Sequence, residues 1–312
     1  MGRYSVGVLD PQSLYTVHAH ARDELRGEHP VLVHLLDGYI DAGSVTHGTS
    51  RYLLDQCEHE PVADFDVDQL HDYRSRRPQF VFDTNRWESV IEYELTLHRM
   101  VDADGTVFLL LAGPEPDAQW RRACTAVLDL CEQFDVSMMV TASGIPMAVP
   151  HTRPTLITSH ATDPQVVGSN PMWIDRVQIP GSFSHLLEYE AGQAGILARG
   201  FVAHVPHYLA QTAFPQAIGE VLTRIQDATG LSIPIDDMEA RTVENLLAIT
   251  KETQDDAEFP TLLKALEEQY DRYRESGAGS VPSAEEIGAA MEQFLADQDP
   301  PDFPRQTGPT AS

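Results

Sequence analysis

Two stretches of the sequence gather side chains that could do chemistry. The first is "LLDGYIDAGSVTHG", Leu35 to Gly48. Gly38 and Gly43 can take backbone angles closed to other residues. Asp41 between them can act as a base, orient a ligand, or cap a following helix. Backbone N–H groups at such a helix start can also hold an anion. The stretch matches neither GxGxxG nor GxxxxGK[ST], and it has no lysine to meet a phosphate. Structural corner and ligand contact both stand as readings.

The second stretch is "TASGIPMAVPHTRP", Thr141 to Pro154. Its three prolines and one glycine predict a rigid loop after a strand. Ser143, Gly144, His151, Thr152 and Arg153 would offer hydroxyl, imidazole and guanidinium groups to a small anion. His151 is the residue suited to proton transfer near neutral pH, and Arg153 to clamping an anion. Ser143 does not sit in the GxSxG nucleophile elbow. Arg74, Arg76 and Arg77 of "HDYRSRRP" suit carboxylates or phosphates, and in so acidic a chain salt bridges are the expectation. His151, His160, His185, His204 and His207 show no HExxH-like spacing, so no metal site and no cofactor are expected.

These residues must be held by surrounding elements. Val31–Leu36, Val107–Leu111 and Val136–Thr141 are apolar runs of the kind that form buried parallel strands. Ser44–His59 and Asp117–Phe134 read as helices between them. In the second, Trp120, Cys124, Val127, Leu128, Cys131 and Phe134 recur at helical spacing. Val62–Phe65, Phe80–Phe82 and Thr155–Ser159 read as short extended pieces. Ile91, Tyr93, Leu95 and Leu97 alternate as the first arm of a hairpin turning at "DADG". His185–Ile196 looks helical, "GFVAHVPHY" extended, and Pro215–Thr229 a helix closed by Gly230.

Strands alternating with helices predict a three-layer α/β/α domain with a mostly parallel sheet, over residues 1–235. Residues 236–297 read as a helical C-terminal region. There Phe259, Leu262, Leu263, Leu266, Tyr270 and Tyr273 form one stripe, and Ser283 with Glu286 starts a last helix near Ala284–Asp297. Residues 298–312 are Pro-rich and predict a disordered tail.

The chain has 312 residues and a net charge of −27. That charge argues against a nucleic-acid partner and against anionic membranes. The N-terminus lacks an apolar core of signal-peptide length, and no uncharged run reaches membrane-helix length, which predicts a cytoplasmic protein. Three scattered cysteines, Cys57, Cys124 and Cys131, fit a reduced compartment.

Taken in order, "GYIDAG", "DYRSRRP", "FLLLAGPEPDAQW", "GIPMAVPHTRP", "GFVAHVPHYLAQ" and "LEEQYDRY" resemble the actinobacterial branch of the proteasome assembly chaperone 2 family. The resemblance runs from about Val31 to Tyr273. It implies a phosphorylase/hydrolase-like α/β/α domain, a helical C-terminal part, and homo- or hetero-oligomers with protein partners. It carries over no catalytic residue set. Some family members dock on the proteasome through a hydrophobic–tyrosine–any-residue tail, whereas this chain ends "GPTAS", so direct docking of that kind is not expected.

Two functional readings follow. One is a cytoplasmic oligomeric scaffold or assembly-chaperone-like protein. The other is a small-molecule enzyme, hydrolase-like or ATP-grasp-like, that acts on an anionic substrate in the loops after the strands. In the enzyme reading Asp41 and His151 are the catalytic candidates. Gly38, Asp41, Gly43, Ser143, Gly144, His151, Thr152 and Arg153 then bind the ligand.

Overall fold

A computed structural model describes residues 9–167 and 176–276. In chain order the strands are β1 (Tyr15–Val17), β2 (Val31–Asp37), β3 (Glu58–Phe65), β4 (Gln79–Asp83), β5 (Arg86–Ile91), β6 (Thr96–Val101), β7 (Val107–Pro114), β8 (Met138–Met147), β9 (Ile157–Ala161) and β10 (Ala198–Pro206). The helices are α1 (Ala21–Glu24), α2 (Val45–Gln56), α3 (Val67–Leu70), α4 (Trp120–Gln133), α5 (Phe183–Gln193), α6 (Pro215–Thr229), α7 (Met238–Thr253) and α8 (Phe259–Ser276). The expected helix near Ala284–Asp297 and the 298–312 tail lie outside the described residues.

Eight strands form one sheet in the order β1-β3-β6-β7-β2-β8-β10-β9. Its centre, β7-β2-β8-β10, is parallel, and β1, β6 and β9 run against the rest. Strand β2 lies in the middle, which is why it reads as a near-continuous apolar run. Along it Val33 and Leu35 enter one core and Leu32 and Leu36 the other. The first core lies under α2, α6 and α7, and includes Met238 and Ile249 of α7. The second lies under α4 and α5. The three-layer α/β/α expectation is met, with a mixed sheet that is parallel at its heart.

The helix stripes explain the layers. On α4, Ala123, Cys124, Val127, Leu130 and Cys131 are buried at spacings of one face. Both cysteines are free, and burial pushes their thiols up to about 12. Helix α6 begins on Pro215 and ends at Gly230, which takes φ +76°, so its bounds are those the sequence punctuates.

Two expectations about strands change. The alternation from Ile91 to Leu97 is not one arm: Ile91 closes β5, and the hairpin of the main sheet pairs β6 with β7. The rigid loop expected after Thr141 is strand as far as Met147. Beyond the pair His34–Thr141, β2 leaves β8, and β10 alone flanks it to the pair Pro206–Met147. Pro146 can occupy a strand that has lost its neighbour on one side.

Candidate functional site

At the carboxyl end of β2 the chain turns through Gly38–Gly43 into α2. Asp41 supplies the turn's central hydrogen bonds. Its two carboxylate oxygens accept the Thr46 N–H at 2.6 Å and the His47 N–H at 3.0 Å. Burial raises the Asp41 pKa, opposed by these hydrogen bonds. Gly43, at φ +68°, donates its N–H to the Ala210 carbonyl and accepts the Phe214 N–H, both at 2.9 Å. A Cβ on Gly43 would lie 3.1 Å from Val205 and Phe214. Backbone angle and space therefore both call for glycine.

Gly38 has a different neighbour. The Glu115 carboxylate would lie 3.1 Å from a Cβ there. Glu115 is buried, accepts the Phe183 N–H at 2.8 Å and donates its own N–H to the Asp37 carbonyl. Burial lifts its pKa above the usual carboxylate range. No local sequence signal tied Glu115 to this corner; it stands 68 residues before the helix start it caps.

Strand β8 borders the same corner. Thr46 Oγ1 donates to the Ala142 carbonyl at 3.1 Å, and a Cβ on Gly144 would lie 2.1 Å from the Ala42 carbonyl oxygen. Ser143 and Gly144 are thus strand residues, opposite Val202 and Ala203 of β10. Gly144 belongs with Asp41 and Gly43 because its missing side chain lets the turn close.

His151, Thr152 and Arg153 lie further on and meet α8. His151 is buried. Its N–H donates to Tyr208 Oη at 3.0 Å, and its Nδ1 is 2.8 Å from that oxygen. Its ring stacks on Phe259 of α8 with centroids 6.2 Å apart. Burial lowers the imidazole's pKa, favouring the neutral ring. Thr152 Oγ1 donates to Glu267, whose carboxylate also takes Arg153 Nη1 at 3.1 Å. Arg153 holds Asp271 with two hydrogen bonds, at 2.8 and 2.7 Å. These bonds raise the guanidinium's pKa and lower that of Asp271. Tyr270 Oη adds a bond to the Pro154 carbonyl at 2.9 Å. Residues 151–154 are the seat of α8.

The two groups of candidates are joined by the turn after β10. Its Tyr208 holds His151 and its Ala210 holds Gly43. The candidates share a scaffold, yet none of them lines either of two cavities elsewhere. One cavity, of about 390 Å³, is lined by His160, Thr162, His185, Glu188, Tyr189 and Gln193, among others. In it His160 Nδ1 lies 2.8 Å from Glu188. The other, of about 450 Å³, brings Arg199, Arg224 and Arg274 together with Tyr270, Glu220 and Asp227. Arg224 is held by Glu220 at 2.7 Å, and Arg199 lies over the Phe201 ring. Spacing along the chain does not reveal either cavity: β9 and α5 face each other across the first, and residues of β9, β10, α6 and α8 build the second.

Among the described residues, the one trio whose ligand atoms come within reach of a common metal ion is His20, Glu24 and Glu60. Of the five histidines singled out in the sequence, His160 and His185 share one cavity and the other three lie elsewhere. Of the three arginines, Arg76 pairs with Asp117 at 2.9 Å. Arg74 and Arg77 make no ion pair among the described residues.

The model of the PAC2 family matches residues 35–251, well over half of the chain. The chain belongs to the PAC2 family. A Corynebacterium glutamicum protein of unknown function has 35% identity and a TM-score of 0.79, covering 84% of this chain and 98% of its own. A Mycobacterium tuberculosis protein of unknown function has 36% identity and a TM-score of 0.78, covering 89% and 94%. A proteasome-assembly chaperone homologue from M. tuberculosis shares the fold, at 23% identity and a TM-score of 0.68, over 76% of this chain and 99% of its own. Comparison with curated proteins gives no match. The PAC2 match spans both the Gly38–Gly43 corner and the seat at 151–154, so both belong to the family's domain. Helix α8 lies beyond the matched residues.

Proposed function

We infer that this chain is a cytoplasmic, oligomeric scaffold of the assembly-chaperone kind, acting through protein contacts rather than through turnover of a small molecule. The observation that carries the reading is that the polar groups an enzyme would use already hold the fold. Both Asp41 oxygens cap α2, the His151 imidazole is engaged by Tyr208, and the Arg153 guanidinium is shared by Asp271 and Glu267. Membership of a family that includes a proteasome-assembly chaperone homologue supports the same reading. So does a net charge of −27, which disfavours nucleic acid and anionic membranes as partners. No helix among the described residues is long and apolar enough to cross a membrane. In this reading residues 1–235 form the working α/β/α domain; of the helical region after it, α7 packs on the core of that domain through Met238 and Ile249, and α8 docks through Arg153.

The test is Arg153→Ala. If Arg153 is a clasp, hydrogen exchange across α8 should speed up towards that of a frayed terminus, while the sheet amides keep their protection. Melting of the native chain should be indifferent to a panel of nucleotides, phosphates, carboxylates and divalent metals. A ligand that stabilises it saturably, by about 2.7 kcal/mol at 100 times its dissociation constant, and that Arg153→Ala abolishes, would transfer the site to an enzyme. A chain that stays monomeric and captures no partner from its native lysate would also remove the scaffold reading.

A further inference from the structure

The cavity of about 450 Å³ gathers charged side chains from three elements. On β10, Arg199 and Phe201 stand two residues apart and share one face of the strand. On α6, Glu220, Arg224 and Asp227 recur at intervals of four and three residues, which aligns them along one side of the helix. On α8, Tyr270 and Arg274 are about one turn apart.

Pairing sorts these groups. Arg224 donates two hydrogen bonds to Glu220, at 3.0 and 2.7 Å, so those two charges cancel. Arg199 rests on the Phe201 ring, 5.6 Å from its centroid, and makes no ion pair or hydrogen bond among the described residues. Arg274 and Asp227 make none either. In a chain with 48 acidic side chains and 21 basic ones, two guanidiniums in one cavity have carboxylates in plenty. Yet the unpaired carboxylate beside them, Asp227, pairs with neither. The α8 wall is firmly set. Tyr270 donates its hydroxyl to the Pro154 carbonyl at 2.9 Å, and the next residue, Asp271, holds Arg153.

The unmatched groups are therefore two positive and one negative. An isolated phosphate or carboxylate suits the arginines, but it meets Asp227 with the wrong sign, and a net charge of −27 repels it from a distance. A purely basic ligand suits Asp227 and meets the arginines with the wrong sign. A zwitterion satisfies both. Its carboxylate fits the planar guanidinium forks, its ammonium fits Asp227, and its zero net charge brings no long-range repulsion. The cavity's volume falls in the range that holds small organic ligands.

We propose that this cavity binds a zwitterionic ligand, a free amino acid or a short peptide, with its carboxylate on Arg199 and Arg274 and its ammonium on Asp227. Such a ligand touches β10 and α6 of the α/β/α domain together with α8, which lies beyond the residues matched by the family model. Binding fastens α8 to the domain, beside the clasp that Arg153 makes. The proposal goes beyond the scaffold reading: the site takes an effector and needs no turnover. Bare carboxylates, phosphates, nucleotides and divalent metals do not bring the paired charges, so melting stays indifferent to them.

The test screens melting of the full chain at about pH 7.5, where both ends of an amino acid are charged, against each standard amino acid and its dipeptides with alanine. Calorimetric titration then follows the strongest ligand. At least one should bind. Its amide, which lacks the carboxylate, and its N-acetyl derivative, which lacks the ammonium, should each bind about tenfold or more weakly. Arg199→Ala and Asp227→Asn should cause similar losses, while Arg51→Ala, at the surface of α2, leaves affinity unchanged. Arg274→Gln, at the exposed end of α8, repeats the test should Arg199→Ala disturb the fold. Hydrogen exchange across α8 should slow on saturation, with the sheet amides unchanged. The proposal is overturned if no amino acid or dipeptide binds, if the N-acetyl derivative binds as well as its parent, or if α8 exchange ignores the ligand. A ligand whose binding survives Arg199→Ala and Asp227→Asn but is lost in Arg153→Ala belongs to the loops around Asp41, and overturns it too. Partner capture and oligomeric state are separate readouts, so the scaffold reading can fail while this site stands, and the reverse.

Discussion

His34→Leu is expected to make the protein more stable at neutral pH and less sensitive to acid. His34 sits at the centre of β2, the middle strand, opposite Leu111 of β7 and Thr141 of β8, and is 1% exposed. Neither of its ring nitrogens has a hydrogen-bond partner. A buried polar atom left without a partner costs about 1–3 kcal/mol. Leucine at 34 would continue the apolar row of Leu32 and Leu36 at similar volume. A gain of about 1–2 kcal/mol at pH 7.5 is the expected result.

The acid response has a definite sign. Burial holds the His34 pKa down to about 4, against the pull of Glu188 and with the help of His160. In the unfolded chain an imidazole takes its proton near pH 6.5. Between those values the unfolded state binds more protons, so stability is lost as pH falls, by about 1.4 kcal/mol per pH unit. Above pH 6.5 the group adds no slope. At pH 5 the variant should therefore gain about 2 kcal/mol beyond its gain at pH 7.5. His98 and His204 are also held down to about 4, so wild-type-like sensitivity from them remains. Urea midpoints at pH 7.5 and pH 5 measure both effects. A variant less stable than wild type at pH 7.5 would show that the imidazole is hydrogen-bonded in solution by water or a ligand, and so serves a purpose.

The sequence made some of this legible and hid the rest for physical reasons. Strand β2, the α4 stripe and the bounds of α6 follow from local patterns: an apolar run, a helical period, a proline and a glycine at the two ends. The Gly38–Gly43 corner was legible too, because Asp41 and the helix it caps are five and six residues apart. From the sequence Arg153 reads as a clamp for a small anion, because the carboxylate that binds it, Asp271, lies 118 residues further on. Glu115 and the Tyr208 hydroxyl escaped notice for the same reason. The β4–β5 arm merged with β6 in the sequence since alternation looks the same in two successive strands as in one. Its exposure could not be read at all: Phe80, Phe82 and Trp87 carry the composition of a buried strand.

Gly144→Ala is expected to be the most damaging single methyl group in the corner. The added Cβ would fall 2.1 Å from the Ala42 carbonyl oxygen and 2.9 Å from Val45 Cγ2. That oxygen is backbone and cannot swing aside. The segment that carries it is fixed by Asp41 on α2, by the Gly43 N–H on Ala210 and by Phe214 on the Gly43 carbonyl. Either β8 or the whole corner must move, at a cost of about 3 kcal/mol. Ser143→Ala, one residue earlier on the other face of the strand, should cost under about 1 kcal/mol. Denaturant midpoints of the two variants give the comparison. If Gly144→Ala costs as little as Ser143→Ala, the Gly38–Gly43 turn yields easily to a neighbour. A turn that yields can also close on a ligand, and the enzyme reading would then regain the loop it needs. If the full cost appears, the corner is rigid, its carboxylate is occupied by the helix it starts, and its place at the head of the central strand is structural.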